Sequence, residues 1–206
     1  MKFILGTKDV MTQIFDEDGN AHPATILRVP KTLVTAVKTS EKDGYDAVQV
    51  AAGEQKESRV AKATKGQLGG AFKHVKEFRT RKNFDDSTEG LEKGTTIDAS
   101  VFEAGDTVIV SAVSKGKGFQ GGVKRYGFKG DKASHGRKHS LRKPGSIGAT
   151  GPGRVFKGTR MAGRMGTDRT TVKNLKVLQV NKDENIILIK GAIPGRKGTL
   201  VEVRSA

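Results

Sequence analysis

The stretch Asp106-Thr-Val-Ile-Val-Ser-Ala-Val113 predicts a β-strand near the middle of the chain. It is a short run rich in β-branched residues, which is typical of a β-strand, and a strongly basic, glycine-rich stretch follows it at residues 115–164. Strand character returns after this basic segment, where residues 172–180 and 185–190 flank the turn Asn181-Lys-Asp-Glu184 as a hairpin. We therefore expect the strands on both sides of the basic segment to belong to one sheet.

Further short runs of the same kind lie on either side of that stretch. They occupy residues 12–15, 24–29, 33–38, 47–51, 95–102 and 200–204. Because Asp-Gly and Pro punctuate them, they indicate antiparallel sheet in a mostly β chain. A closed barrel is favoured over an open sheet because closure removes exposed edge strands.

Composition divides the chain into five predicted parts. They are residues 1–53, 95–114 and 165–206 for the barrel, 54–94 for a polar insertion, and 115–164 for an extended loop. The insertion contains one helical candidate, from Thr64 to Val75, which Gly66, Gly69 and Gly70 weaken. The chain is thus expected to combine a barrel with a small helix-containing insertion and a long extension.

Nearly all the excess positive charge lies in the basic segment. The chain carries 38 Lys and Arg against 22 Asp and Glu, a formal net charge of +16. The basic segment holds 14 of these cations and the single acid Asp131, which leaves 24 cations and 21 acids elsewhere. The predicted barrel is therefore close to neutral, whereas the segment attracts polyanions such as nucleic acid or an anionic membrane.

Composition also disfavours several classes of protein. The most apolar run, residues 186–189, is far shorter than the roughly 20 residues of a spanning helix, and the N-terminus turns polar too soon for a signal peptide. The chain has no Cys, which excludes disulfides, thiolate metal sites and a Cys nucleophile and fits a reducing cytoplasm. The sequence contains no paired catalytic carboxylates, nucleophile elbow or Walker motif. We expect no catalytic residue, cofactor, small-molecule substrate or membrane partner.

The basic segment has the residue types of an RNA-penetrating arm. Thirteen of the 27 glycines lie there. Its few apolar side chains cannot offset a backbone ordering cost of roughly 1–2 kcal/mol per residue, so it should be disordered in isolation. Cations neutralise phosphates, glycines permit close approach, and aromatic rings stack on unpaired bases. Folded back on itself, the segment reaches at most about 80–90 Å at roughly 3.3–3.6 Å per residue.

The predicted RNA contacts are cationic, histidine and aromatic side chains of the basic segment. They are Lys115, Lys117, Phe119, Lys124, Arg125, Tyr126, Phe128, Lys129, His135, Arg137, Lys138, His139, Arg142, Lys143, Arg154, Phe156, Lys157, Arg160 and Arg164. The predicted loop tip consists of Gly148, Ala149, Thr150, Gly151, Pro152 and Gly153. A solvated, flexible linker is the plain alternative, but the interleaved aromatic residues and the position between strands disfavour it. A DNA-architectural role lacks the wedge-and-arm pattern.

Two motifs in the segment resemble sites of other kinds. Gly116-Lys-Gly-Phe-Gln-Gly121 matches the dinucleotide fingerprint, but the sequence predicts no apolar helix after it and has no acid about 20 residues on. His135 and His139 have the spacing of two metal ligands on a helix, but the residues between them add no further ligand. We predict no metal site. A metal-dependent RNA-acting enzyme and a free barrel-type translation factor are the alternatives.

Motifs along the whole chain point to one family. They include Met11-Thr-Gln-Ile-Phe15, Ala112-Val-Ser-Lys-Gly-Lys-Gly-Phe-Gln-Gly-Gly-Val-Lys-Arg125, Arg142-Lys-Pro-Gly-Ser-Ile-Gly148, Pro152-Gly-Arg-Val-Phe-Lys-Gly158, Met161-Ala-Gly-Arg-Met-Gly166 and Lys190-Gly-Ala-Ile-Pro-Gly195. Together they resemble the universal third large-subunit ribosomal protein, of the bacterial type. Two positions depart from that pattern: Ile109 stands where the family usually has Asp or Asn, and the tip is one residue shorter and lacks a Gln that some bacterial members carry methylated.

The resemblance implies a structure and a location. It implies a six-stranded barrel of the kind shared with translation factors, from which a long loop runs through large-subunit ribosomal RNA toward the peptidyl-transferase centre. It also implies a part in early subunit assembly, no chemistry, and neighbours that include the fourteenth and nineteenth large-subunit proteins. The expected location is the ribosome in the cytoplasm.

Overall fold

The structure, a computed structural model, describes residues 2–80 and 90–206. The chain forms two compact units, one from Met1–Val113 with Arg169–Ala206 and the other from Ser114–Asp168. We call the first the barrel unit and the second the loop unit. The loop unit contains the whole basic segment. Part of the predicted insertion, residues 81–89, lies outside the described residues.

Strands dominate the described residues, which confirms the prediction of a mostly β chain. The strands are β1 (Phe3–Phe15), β2 (Ala21–Arg28), β3 (Thr32–Lys38), β4 (Ala47–Glu54), β5 (Phe72–Arg79), β6 (Thr96–Ile97), β7 (Thr107–Val113), β8 (Phe119–Gln120), β9 (Gly163–Arg164), β10 (Arg169–Asn181), β11 (Ile186–Lys190) and β12 (Leu200–Ser205). The helices are α1 (Ser40–Asp43), α2 (Lys62–Leu68) and α3 (Gly122–Tyr126), with 3₁₀ turns at Glu57–Arg59 and Ala99–Val101. None of the helices in the described ranges is long and apolar enough to cross a bilayer.

Six antiparallel strands of the barrel unit pair in the order β1, β12, β7, β10, β11, β2, and β2 pairs back with β1 to close the sheet on itself. The strands before and after the loop unit are direct neighbours, with Val110 of β7 opposite Val172 of β10. The hairpin β10–β11 is also present, with Val180 opposite Ile187. The prediction that these strands form one sheet is therefore confirmed.

A second sheet takes strands that the sequence had assigned to the barrel. β3 and β4 pair with each other, and β5 and β6 extend them into a four-stranded sheet in the order β5, β4, β3, β6. The barrel therefore draws only β1 and β2 from residues 1–53. The predicted strand at 95–102 is reduced to β6, because the Asp98 side chain accepts a hydrogen bond from the Ser100 N–H and begins a 3₁₀ turn.

The predicted helix from Thr64 to Val75 is wrong in its second half. α2 ends at Leu68, where Gly69 adopts φ +73° and donates its N–H to the carbonyl of Lys65. This left-handed residue is the usual end of a helix, and glycine adopts it without a side-chain clash. The chain then enters β5 at Phe72 and pairs along β4.

The core runs without a break from the barrel into the second sheet. Alternate residues of β7 and β12 point inward and are fully buried, among them Val108, Val110 and Val203. Phe3 of β1 and Phe78 of β5 join the two sheets, with ring centroids 4.5 Å apart. Each such buried side chain contributes about 1.5–3 kcal/mol of hydrophobic stabilisation.

Ile109 lies in regular β7 opposite Arg204 of β12. The β10 strand on its other side is irregular, because the register shifts between Val172 and Leu175. Asn174 lies in this bulge with φ +57°. Asn tolerates that left-handed conformation better than most residues, so the bulge costs little.

Candidate nucleic-acid interface

Hydrogen bonds hold the two ends of the loop unit side by side. The Ser114 N–H donates to the Asp168 carbonyl at 2.9 Å, and the Lys117 N–H donates to the Met165 carbonyl at 2.9 Å. The Met165 N–H returns a bond to the Gly118 carbonyl at 3.0 Å, and the short strands β8 and β9 continue the pairing. The base of the loop unit is thus a narrow antiparallel ladder.

Two glycines permit the closest backbone contacts in the loop unit. Gly166 has φ +79°, and a Cβ there would stand 2.1 Å from the Lys115 carbonyl oxygen. Gly130 has φ +73°, and a Cβ there would stand 2.1 Å from the Leu141 carbonyl oxygen. Any side chain at either position would therefore push the two neighbouring backbone segments apart.

A one-turn helix follows the Gly116–Gly121 motif. No apolar helix was predicted there, and α3 carries Lys124 and Arg125 in its only turn. Its first residue, Gly122, packs against the Phe128 ring, which a Cβ would approach to 2.8 Å. A helix this short and basic does not support a dinucleotide site.

An aromatic and cationic cluster lies beside α3. The Tyr126 and Phe128 rings are 5.9 Å apart, and the Arg125 and Arg160 guanidinium carbons lie 4.9 and 5.7 Å from the Tyr126 ring centroid. Arg125 Nη1 also donates to the Met161 carbonyl at 2.7 Å. Arg125 therefore makes its contacts within the protein, to the Met161 carbonyl and the Tyr126 ring.

Two other predicted RNA contacts pair with acids. Arg137 Nη1 lies 2.6 and 2.5 Å from the two carboxylate oxygens of Asp131. This guanidinium, followed by the Lys132 backbone N–H, holds the pKa of Asp131 below its ordinary value. Arg164 pairs with Asp168 at 3.0 Å. These arginines are less free to bind a phosphate than their sequence position suggests.

The remaining predicted contacts lie on the surface. Every residue of the loop unit is described, and all nineteen predicted side chains are exposed except Arg125 and Phe128, which are half-buried. Phe119 and Phe156 are 76% and 55% exposed. Solvent can reach both rings, as stacking on a base requires.

The loop unit has almost no interior. Gly122 is its only buried residue. Several of its larger apolar side chains, including Leu141, Ile147 and Val155, are more than 40% exposed. Turns and glycine contacts therefore define its conformation, since no packed core stabilises it.

The predicted tip consists of exposed turns. Ser146 Oγ donates to the Gly148 carbonyl at 2.8 Å, and the Gly153 N–H donates to the Thr150 carbonyl at 3.3 Å. All six residues of 148–153 are exposed. The tip is thus accessible to any partner that surrounds it.

The two histidines do not lie on a helix, so they do not share a helix face as two metal ligands would. His135 and His139 lie in turns, and His135 has φ +56°. Within residues 2–80 and 90–206, no three His, Cys, Asp or Glu side chains approach closely enough to hold a metal ion.

Comparison with known proteins identifies the family. A family model described as ribosomal protein L3 matches residues 40–185. The large ribosomal subunit protein uL3 of Corynebacterium diphtheriae is 46% identical over all of this chain and 94% of its own length. The chain belongs to the ribosomal protein L3 family. The uL3 proteins of Nocardia farcinica and Streptococcus pyogenes are 49% and 46% identical, over 98% and 100% of this chain and 92% and 97% of their own lengths.

Membership of the L3 family confirms the resemblance drawn from the sequence motifs. The family consists of structural, non-enzymatic proteins, so the prediction that the chain is not an enzyme is also confirmed. The role of each predicted contact stays a prediction.

The RNA contacts predicted for this L3-family chain included no cations outside the basic segment. Arg169 and Lys173 of β10 line a groove of the barrel unit together with Arg79 and Arg204. A signal was present, because Arg169, Thr171 and Lys173 alternate along a strand and so face one side of it. The near-neutral total charge of the barrel unit concealed this local excess.

Proposed function

We propose that this chain is a structural component of the large ribosomal subunit and that the loop unit binds large-subunit ribosomal RNA. The observation that supports it best is the agreement between family and charge: relatives at 46–49% identity are named large ribosomal subunit protein uL3. The same chain concentrates 14 cations in 50 residues.

The geometry of the loop unit supports insertion into RNA. Its cations and aromatic rings are exposed and its interior is nearly absent. A peptide of this kind gains order from its surroundings, and folded RNA supplies both phosphates and unpaired bases. The predicted contacts from Lys115 to Arg164 and the tip at 148–153 are the residues that would meet RNA.

The remaining details belong to the same proposal. The barrel is of the kind shared with translation factors, residues 115–164 extend through the RNA toward the peptidyl-transferase centre, and the protein supports early subunit assembly. Its protein neighbours are the fourteenth and nineteenth large-subunit proteins. Its location is the ribosome in the cytoplasm.

Salt-dependent binding tests the RNA contact. For roughly 6–10 phosphate contacts, affinity should fall about 10³–10⁵-fold between about 50 and 200 mM salt. The loop variant Arg142→Ala/Lys157→Ala removes two exposed cations and should reduce the slope. The control variant Lys42→Ala/Lys182→Ala removes two exposed cations of the barrel unit and should not. An affinity that does not depend on salt concentration, or an equal effect of both variants on the slope, would contradict the proposal.

Sedimentation separates this proposal from a free translation factor. A core component stays with the large subunit through a high-salt wash, whereas a cycling factor dissociates into the supernatant. The enzyme alternative needs RNA cleavage or modification that depends on added divalent metal and is lost on His135→Ala. No described contact favours either alternative.

A further inference from the structure

The β1–β2 hairpin continues past the barrel sheet. β1 pairs with β12 as far as Thr7, and β2 begins to pair with β11 at Ala24. Between these points, residues 12–15 have their partners in residues 21–24, and the described part of the chain supplies no third strand beside residues 12–15. We call residues 11–23 the hairpin ribbon. A two-stranded ribbon is only marginally stable by itself, so a partner would give it order that the barrel does not supply.

One face of the hairpin ribbon is apolar and exposed. The register places Gln13 opposite Pro23 and Phe15 opposite Ala21, and Met11 shares their face because alternate residues of a strand point the same way. Met11 and Phe15 are 50% and 61% exposed, and the other three are exposed as well. Four of these residues and Thr12 line a depression of about 470 Å³. Exposed apolar side chains gathered on one face mark an interaction surface, whereas scattered ones do not.

Contacts within the turn fix the shape of the hairpin ribbon. Asp16 Oδ1 accepts a hydrogen bond from the Asn20 N–H at 2.7 Å, and Asp16 Oδ2 lies 2.9 Å from His22 Nε2. His22 is opposite Ile14 on the reverse face, where both residues are half-buried. The exposed apolar side chains are therefore presented on one face of a ribbon whose turn is closed by its own hydrogen bonds.

The hairpin ribbon is acidic in a strongly basic chain. Residues 9–27 contain four acids and no Lys or Arg, whereas the whole chain has a net charge of +16. Asp9 pairs with two cations of the barrel unit, and Asp16 closes the turn. Glu17 and Asp18 are exposed, and neither has an ion-pair partner in the described part of the chain. Their negative charge repels phosphate and attracts a cationic surface.

We propose that the hairpin ribbon docks a cationic segment of another large-subunit protein. An apolar side chain of that segment packs on Met11 and Phe15, and its Lys or Arg lies beside Glu17 and Asp18. The inference rests on the proposed function, since it takes the partner from the assembled subunit. RNA is disfavoured because the exposed charges of the ribbon have the same sign as phosphate. A second copy of this chain would have to supply its loop unit, whose cations the proposed function assigns to RNA.

Crosslinking in assembled large subunits identifies the partner. The chain contains no Cys, so Gln13→Cys places a unique thiol in the middle of the apolar face. The full chain, labelled there with a photoreactive group, should crosslink to a protein segment that contains Lys or Arg, identified by mass spectrometry. The control Asp183→Cys carries the label on the exposed β10–β11 turn and should not reach that segment. A crosslink from Gln13→Cys to RNA alone, to a segment without Lys or Arg, to a second copy or to nothing overturns the proposal.

The apolar half of the proposal is tested by direct binding. The crosslinked segment, made as a synthetic peptide, serves as the probe for the full chain in fluorescence anisotropy. Met11→Ser/Phe15→Ser should weaken binding about tenfold or more, as expected for side chains at the centre of an interface. The control Val75→Ser removes another exposed apolar side chain, on β5, and should leave the affinity unchanged. Circular dichroism shows whether each variant is folded, and equal affinities would overturn the assignment of this face.

The acidic half of the proposal is tested with the same peptide. Glu17→Lys/Asp18→Lys should weaken binding strongly at low salt and less at high salt, because ions screen the charges. The control Glu41→Lys/Asp43→Lys reverses two exposed acids of α1 and should not weaken it. An equal effect of both variants would show that only the net charge of the chain matters and would overturn the proposed contact.

The two labelled chains also separate the possible failures. If the chain labelled at Asp183→Cys does not enter large subunits, the proposed function is wrong and this inference fails with it. If that chain enters but the label at Gln13→Cys reaches no cationic protein segment, the inference is wrong and the proposed function stands.

Discussion

The contact between Phe3 and Phe78 should couple the barrel to the second sheet, and a double-mutant cycle can measure it. Both side chains are almost fully buried, at 1% and 3% exposure, and their rings lie 4.5 Å apart at an interplanar angle of 31°. Aromatic pairs of this geometry contribute about 0.5–1.5 kcal/mol beyond the area they bury. We therefore expect Phe3→Leu and Phe78→Leu to be non-additive by that amount.

The magnitudes suit urea denaturation. Each single substitution should lower the free energy of unfolding by about 1–2 kcal/mol, within the usual range for a change to a buried side chain. With a slope of about 1–3 kcal/mol per M urea, the midpoint then shifts by roughly 0.3–2 M, which is readily measured. Alanine is avoided because two such truncations, at about 3–5 kcal/mol each, approach the whole stability of a typical domain.

A matched cycle gives the control. Phe72 lies on the same strand as Phe78 but is only half-buried, so Phe3→Leu and Phe72→Leu should be additive within about 0.5 kcal/mol. If the Phe3–Phe78 cycle is equally additive, the ring contact does not join the two sheets energetically and the reasoning fails.

Three further substitutions test the loop unit and the bulge. Gly166→Ala should weaken RNA binding more than Gly158→Ala, because only the former places a Cβ against a backbone carbonyl, whereas both share a positive φ; equal affinities in filter binding would contradict this. Arg137→Ala should raise the pKa of Asp131 toward its ordinary value in an NMR titration. Because the pKa of Asp131 is lowered in the folded chain, the ion pair stabilises the fold at pH values above the ordinary pKa of an Asp side chain. This stabilisation is lost as the pH falls through the lowered pKa. An unchanged titration would show that the pair is absent. Asn174→Val should cost about 1–2 kcal/mol in chemical denaturation, since a β-branched residue resists the left-handed conformation; an unchanged midpoint would contradict the bulge geometry.

The sequence predicted strands best where one face is buried and the other exposed. β11 shows that alternation throughout and β7 shows it up to Val110, and the positions of both strands were predicted closely. The first half of β1 was missed because Phe3, Ile4 and Leu5 are all buried, so alternation is lost where the strand packs on both faces. β5 was missed for the opposite reason: a charged, exposed edge strand resembles a polar loop.

The composition of the candidate site could be predicted from the sequence, but the contacts between its residues could not. Glycine content and charge predicted an exposed segment without a core, which the loop unit is. The partner of Arg125 lies 36 residues away at Met161, and no local pattern reveals such a contact. The groove cations come from strands of two sheets that are distant in sequence, so only the folded arrangement of both sheets brings them together.

The pairing of β7 with β10 has a consequence for how this family can change. Val113 and Arg169 are opposite each other in the register, so the barrel itself brings together both ends of the chain that connects them. The entropic contribution to the free-energy cost of closing a flexible loop rises by only about 0.6 kcal/mol for each doubling of its length. Insertions and deletions in that connection are therefore nearly neutral for the stability of the barrel. Selection on its length acts through whatever surrounds it, so a change of length at the tip, residues 148–153, would leave the barrel stable.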